Sequence, residues 1–398
     1  MEPMGEAFIP FAKASIGEEE EEAVLKVLRS GWLTSGKECE AFEKEFSQAL
    51  GYKYALALCS ATAGLHLALE ALGVKPGDRI ITTPYTFAST AEVIRYFGAD
   101  PVFVDIEEEG LNIDPGQIET TLETLGSEAR GIMPVHIAGK PCAMADIERF
   151  ARSKGVWILE DSAHMVPQQL DASPKGSARV YSFYANKTMT TGEGGMLVTD
   201  DEQMATRVGI MRLHGIDRSA WDRYQSNKAK GWFYDIVDSG YKYNLTDLAA
   251  AIGRVQLRRV GEFLVRRRNI AHRYIDAFSQ YEFLRPPIST NEHAWHLFVL
   301  RLELGKIGID RDDFLRELQN AGIGISVHYR PLHMMSYYRS RYGYKPEDYP
   351  RSLAAYLSVM SLPIYPSLTD EQVQFVIDSV VAIGKAHSRR RIYESGRF

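Results

Sequence analysis

From about residue 17 to 210, short continuous apolar runs alternate with longer stretches whose apolar residues recur at helical spacing. GEEEEEAVLKVLRSG predicts a helix with its acids in the first turn, where the helix dipole favours them. YALALCS predicts a short buried strand and TAGLHLALEALG the helix after it, closed by Gly73. The same reading gives a strand in KPGDRIITTP and a helix in TFASTAEVIRYFG, then a strand in DPVFVDIE and a helix in DPGQIETTLETL. It continues with a strand in RGIMPVHIAG, a helix in MADIERFARSKG and a strand in VWILED. RVYSFY and GGMLVTDD follow with little between them, as a strand pair does. Strands alternating with helices of this length imply a mainly parallel sheet covered on both faces.

Beyond this lies NLTDLAAAIGRVQLRRVGEFLVRRRNIAHRYIDAFSQY, a long helical pattern with few breakers. It reads as a connector from a large domain, residues 1–255 with an N-terminal arm, into a smaller C-terminal α/β domain, residues 256–398. In the remainder, AWHLFVLRLE, DRDDFLRELQNAG, ISVHYRPLH and TDEQVQFVIDSVVAIGKA continue the alternation of strands and helices. The arginines of RVQLRRVGEFLVRRRN are interleaved with apolar residues at helical spacing, which marks a solvated helix face rather than a phosphate-tracking patch.

Composition narrows the function classes. A net charge of −6 over 398 residues gives no sign of a nucleic-acid binder. Three cysteines, Cys39, Cys59 and Cys142, without a CxxC spacing argue against a disulfide framework or a zinc site and fit a reducing cytoplasm. MEPMGEAFIPFAK has no basic start followed by an apolar core, so no signal peptide is expected. The most apolar stretch, YALALCSATAGLHLALEALGV, is broken by His66 and Glu70, so no membrane span is expected.

Four features carry chemistry. Asp161 ends the run VWILED, and strand C-termini in open α/β sheets face the ligand crevice. By itself it reads equally as a helix cap or a surface acid. CSATAGLHLAL puts small residues, 60–64, between a strand and a helix, where open backbone N–H groups suit an anion. Phe87, in TTPYTFAST, reads either as core filler or as a platform for a flat ring. Lys187, in SFYANKTMTTGEGG, is a surface lysine or a nucleophile, and the glycines after it permit close backbone approach. An anion turn, an aromatic plate, a carboxylate and a lysine at the strand ends of one sheet match the needs of pyridoxal phosphate.

These motifs make the chain similar to a known family. SATAGLHLAL, ITTPYTFAST, PVHIAGKPCAMADI, LEDSAH, SFYANKTMTTGEGGMLVTD, GYKYNLTDLAAAIGRVQL and GIGISVHYRPLH together resemble the DegT/StrS family of sugar-nucleotide aminotransferases over nearly the whole chain. The resemblance implies the fold-type-I architecture, with a seven-stranded, mostly parallel central sheet. It implies pyridoxal 5′-phosphate as cofactor, with pyridoxamine phosphate as intermediate, L-glutamate as amino donor and 2-oxoglutarate as its product. Lys187 would form the Schiff base and move protons, and Asp161 would pair with the pyridine nitrogen. Ala61, Thr62 and Ser182 would bind the phosphate, Phe87 would stack on the ring, and His164 would lie near the cofactor. Asn244 would reach the phosphate of a neighbouring subunit's cofactor, which implies a homodimer with shared sites. Thr34, Tyr184, His328 and Tyr329 are implied as substrate contacts.

Within the family the chain is most similar to enzymes that aminate C4 of a UDP-linked 4-ketosugar, such as the aminotransferase for 4-amino-4-deoxy-L-arabinose. That similarity implies cytoplasmic synthesis of a cell-surface glycan such as lipopolysaccharide, or of an antibiotic-type sugar. Two alternatives accompany it: a sugar dehydratase using the same cofactor, which carries a histidine in place of the lysine, and a cofactor-binding regulator without turnover. The chain departs from the family in HMVPQQLDASPKGS, where Pro167 stands in place of a glycine and the segment is shortened.

Overall fold

The computed structural model describes residues 8–167, 177–217 and 233–389. Its first helix, α1 (Glu18–Ser30), has four glutamates in its first turn and closes on Gly31 in the left-handed conformation. Helix α2 (Lys37–Leu50) follows. Strands and helices then alternate: β1 (Tyr54–Leu58), α3 (Ala61–Ala71), β2 (Arg79–Thr82), α4 (Ala88–Tyr96), β3 (Asp100–Phe103), α5 (Pro115–Leu125), β4 (Ala129–Ile132), α6 (Met144–Lys154) and β5 (Trp157–Asp161). Strands β6 (Ala178–Ser182) and β7 (Gly195–Thr199) come next, and then α7 (Glu202–Met211). Three of these helices start at a side-chain acceptor: Ser60 before α3, Asp114 before α5 and Asp201 before α7 each take a first-turn N–H.

The seven strands form one sheet in the order β1-β7-β6-β5-β4-β2-β3. β7 is antiparallel to both its neighbours, and every other pair is parallel. The C-terminal ends of β1, β2, β5 and β6 therefore reach the same edge of the sheet. Alternate residues bury opposite faces. Val180 and Leu197 pack under α3, while Tyr181, Met196 and Val198 pack against Phe42 and Phe46 of α2.

Helix α8 (Asp247–Phe278) leads to a second, antiparallel sheet of β8 (Leu284–Arg285), β9 (Phe298–Leu302) and β10 (Val359–Leu362), in the order β10-β9-β8. Helices α9 (Arg311–Asn320), α10 (Ser336–Tyr342), α11 (Pro350–Ser358) and α12 (Asp370–His387) belong to this part of the chain; α9, α11 and α12 pack on this sheet, whereas Tyr338 of α10 packs against Phe103 of β3. Ala250 and Val260 of α8 join the core of the first sheet, and Ile270, Tyr274 and Phe278 join that of the second. Position 255/256 falls inside this continuous helix. Among the described residues no helix is long and apolar enough to cross a membrane.

Several elements differ from the sequence reading. RGIMPVHIAG is strand only as far as Ile132, and beyond a single bridge from Val135 to Asp161 it turns through Ala138 and Gly139, both at positive φ. ISVHYRPLH forms no strand of its own, only a bridge from Ser326 to Ser361. The arginines of α8 are not simply a solvated face. Arg254 pairs with Glu38 and Glu45 of α2, Arg259 pairs with Glu20 of α1, and Arg267 is buried.

Helix α2 also depends on Asp247, at the start of α8. Its buried carboxylate accepts the N–H groups of Gly36 at 2.7 Å, Glu38 at 3.3 Å and Cys39 at 3.0 Å. These are donors that the start of α2 cannot satisfy from within. Replacing Asp247 by Ala should lower stability by about 1–3 kcal/mol, read as an earlier urea midpoint, with Asp247→Asn losing less. An unchanged midpoint in the alanine variant would show that this cap contributes nothing.

Candidate active site

At the shared strand edge the chain encloses a cavity of about 460 Å³. Ten of the twelve residues singled out from the sequence line it. Ala61 and Thr62 stand at the start of α3, Phe87 just before α4, and Asp161 and His164 at and beyond the end of β5. Ser182, Tyr184 and Lys187 lie at and beyond the end of β6, and His328 and Tyr329 come from the chain between α9 and α10.

Lys187 is carried by a tight turn in which its N–H donates to the Tyr184 carbonyl at 2.9 Å. Its side chain opens partly onto the cavity, but the amine lies deep among protein atoms. Desolvation lowers its pKa to about 8, against the opposing pull of Asp161. Asp161 is 3% exposed. Its Oδ2 accepts from Thr90 Oγ1 at 2.7 Å and its Oδ1 from the Ala163 N–H at 3.1 Å. Thr90 in turn meets the Thr86 hydroxyl at 2.9 Å. Burial pushes the Asp161 pKa up, and these bonds and Lys187 hold it back.

The turn before α3 is built as an anion cradle. Ser60 Oγ takes the Ala63 N–H at 3.1 Å and its carbonyl takes the Gly64 N–H at 3.2 Å. The N–H groups of Ala61 and Thr62 have no acceptor among the described residues and stand at the positive end of the helix dipole. Ser182 Oγ accepts a long 3.4 Å bond from the Tyr184 N–H, so its own proton is free to donate. The glycines of GEGG have separate reasons. Gly192 has φ 81°, and a Cβ on Gly195 would lie 2.5 Å from the Ala61 nitrogen.

Phe87 is not core filler. It is 63% exposed, and its ring leans 6.3 Å from that of Tyr329 across the cavity. His164 Nδ1 accepts the Ala138 N–H at 3.1 Å, so Nε2 carries the proton and donates to Tyr329 Oη at 2.9 Å. Burial drives the His164 pKa well below the ordinary value, in keeping with this neutral form. The Tyr329 hydroxyl proton has no acceptor among the described residues and is left to donate. His328 is neutral as well, its pKa pushed down to about 4 by burial and by Lys187.

Two sequence-selected residues, Thr34 and Asn244, stand outside this cavity but close to each other. The Thr34 carbonyl accepts the Asp247 N–H at 3.3 Å, and Asn244 Nδ2 donates to Ser35 Oγ at 2.7 Å. Asn244 lines a separate cavity of about 300 Å³ together with Ser35 and Arg212. The sequence reading passed over Thr86, Ser89, Asn186 and Glu193, which line the main cavity, and Thr90 behind it. Thr86, Ser89 and Thr90 sit in the same TFAST motif as Phe87, and only tertiary structure distinguishes them from ordinary helix-start residues. Of the segment that departs from the family, residues 168–176 lie outside the described ones.

Pyridoxal 5′-phosphate fits these residues. Two unpaired N–H groups and a free hydroxyl suit its phosphate, and an exposed aromatic suits one ring face. The carboxylate whose pKa burial raises suits a protonated ring nitrogen, and a lysine amine that gives up its proton near pH 8 suits its aldehyde. Comparison with known proteins agrees. The model of the DegT/DnrJ/EryC1/StrS aminotransferase family matches residues 14–381. The spore coat polysaccharide biosynthesis protein SpsC of Bacillus subtilis is 43% identical over 95% of this chain and 97% of its own. The sugar aminotransferase Spr1654 of Streptococcus pneumoniae, solved in its PMP form, shares 31% identity over 95% of this chain and 99% of its own, with a TM-score of 0.88. PseC of Helicobacter pylori, an aminotransferase involved in the biosynthesis of pseudoaminic acid, superposes with a TM-score of 0.85 at 26% identity, covering 96% of this chain and all of its own. The chain thus belongs to the DegT/DnrJ/EryC1/StrS aminotransferase family, and it is a sugar aminotransferase that uses pyridoxal 5′-phosphate and passes through the pyridoxamine phosphate form.

Proposed function

We propose that the enzyme moves the amino group of L-glutamate to the keto carbon of a nucleotide-linked ketosugar, at C4 of a UDP-4-ketosugar, and releases 2-oxoglutarate. The observation that supports amino transfer is the meeting of a low-pKa lysine, a buried carboxylate and an anion cradle in one cavity. The pathway we favour is assembly of a surface polysaccharide in the cytoplasm. It is favoured by the likeness to SpsC, whose name places that relative in spore coat polysaccharide biosynthesis.

When bound, the cofactor supplies the electron sink that makes the α-proton of the amino donor acidic. The protein supplies position and protons. Asp161 would hold the positive ring nitrogen, and its own charge is steadied by Thr90 and the Ala163 N–H. The Ala61 and Thr62 N–H groups and Ser182 Oγ would hold the phosphate. Phe87 would cover one face of the ring. Nζ of Lys187 takes the proton from the donor's α-carbon and returns one to the aminated sugar carbon. Such a base works best with a pKa near the operating pH, and burial brings Lys187 there. Tyr329, its oxygen engaged by His164, offers its hydroxyl to whatever occupies the cavity.

Purified enzyme should aminate a UDP-4-ketosugar with glutamate, forming 2-oxoglutarate in equal amount, faster than it aminates 3-keto, dTDP- or GDP-linked analogues. Lys187→Ala should cost on the order of 10²–10⁴ in rate or more. Full activity in that variant, or preference for a 3-ketosugar, would contradict the respective part of the reading.

Attachment of the cofactor to the cofactor-free enzyme has a defined pH dependence. The attacking species is the neutral amine, so its fraction rises as pH passes through the Lys187 pKa. The attachment rate should climb and level off above about 8, whereas an ordinary lysine would keep gaining until about 10.4. Stopped-flow absorbance would show which holds, and a rate still rising at the alkaline end would sink the idea that burial tunes this amine.

We also propose a homodimer in which Asn244, absent from its own chain's cavity, reaches the partner's cofactor phosphate. Lys187→Ala and Asn244→Ala homodimers should each be impaired. Mixed dimers formed by subunit exchange should recover activity, because one of their two sites has both residues intact. No recovery after exchange confirmed by mass spectrometry would place Asn244 outside the shared site.

A further inference from the structure

Among the described residues four arginines are buried: Arg179, Arg267, Arg301 and Arg311. Arg179 pairs with Glu160 at 2.7 Å. Arg311 pairs with Asp312 at 2.6 Å and donates to the carbonyls of Tyr356 and Val359. Arg267 has no acid, but its Nη1 donates to three carbonyls, those of Trp295 at 3.1 Å, His296 at 3.2 Å and Ile364 at 2.8 Å. Arg301, on β9, is treated differently. Among the described residues it has no ion pair, and its one hydrogen bond runs from Nη2 to the Gly110 carbonyl. A guanidinium stays charged at any ordinary pH, so a buried one needs either acceptors or an anion.

Arg301 lines a cavity of about 80 Å³ between the chain around β4 and the second sheet. Lys140, Arg285, His293 and Glu109 line it too. The acids nearby are already engaged. Glu109 and Glu303 face Arg285 at 3.5 and 3.1 Å, and Glu107 faces Lys140 at 3.8 Å. His293 Nδ1 accepts the Trp295 N–H at 3.0 Å, so its Nε2 bears a proton with no acceptor among the described residues. One water needs about 10–15 Å³ of such space, so the cavity holds a compact anion but nothing the size of a nucleotide.

We propose that this cavity binds one compact oxyanion, of phosphate or carboxylate type, with Arg301 and His293 as its inner donors and Lys140 and Arg285 at its rim. The site is separate from the cofactor cavity but borders it. Ala138 forms part of its wall, and the Ala138 N–H holds His164. Nothing in the proposal depends on the amino-transfer chemistry.

Isothermal titration of the cofactor-bound enzyme at constant ionic strength tests it, with inorganic phosphate in one arm and malonate in the other. One saturable site per chain is expected for at least one of them, and the arm that binds identifies the anion type. Arg301→Gln should weaken binding by about tenfold or more. Should that variant fail to fold, the rim pair Lys140→Ala with Arg285→Ala, both at partly exposed positions, should still weaken binding measurably. The proposal is overturned if neither anion binds saturably, or if both the Arg301 variant and the rim variant bind as the parent does.

Discussion

The constraint that shapes the main cavity is the withdrawal of one amine and one carboxylate from water at neighbouring strand ends. Desolvation works against both charges, raising the pKa of Asp161 and lowering that of Lys187. Each is the other's partial remedy, and Asp161 is held further by Thr90 and the Ala163 N–H. The result is a carboxylate in want of a stronger cation and a lysine whose proton is loosely held. A pyridine ring with a protonated nitrogen and an aldehyde answers both needs at once.

The rest of the molecule keeps these groups in place. β5 and β6 run parallel side by side, so their ends deliver Asp161 and Ser182 to one edge. β7 turns back antiparallel, and the close approach of Gly195 to Ala61 sets the anion cradle against the same edge. Behind the sheet, α2 is tied to α8 through Asp247 and Arg254, and α1 through Arg259. Arg267 anchors α8 to the carbonyls of Trp295 and His296. The His296 ring lies 4.5 Å from that of His164. Packing of the second sheet thereby reaches the residue that sets the donor direction of Tyr329.

Much of this was legible in the chain. The alternation of apolar runs announced the parallel sheet, because buried strands and amphipathic helices have different periods. Asp161, Phe87, Lys187 and the turn at 60–64 were legible as strand-end residues, and the structure gathers them in one cavity. What stayed hidden depends on contacts distant in sequence. Helix α2, which the sequence reading does not assign, buries Phe42, Phe46 and Leu50 on one face of an otherwise polar stretch. The arginines of α8 looked solvated because their acids lie some 200 residues away. Thr90 supports Asp161 from 71 positions earlier, and no local pattern joins the two. RGIMPVHIAG leaves its strand after Ile132, just ahead of Pro134, which has no N–H to give the ladder, and turns only later at Ala138.

The identity of the amine is the claim on which the mechanism turns, and it can be read directly. Reducing the cofactor-bound enzyme with borohydride fixes the cofactor on the lysine that holds it, and peptide mapping by mass spectrometry finds that lysine. The pyridoxyl mass is expected on Lys187, in near-equal amount to protein chains, and on no other lysine. Label on a different lysine, or a fully active enzyme that retains no label, would contradict the assignment.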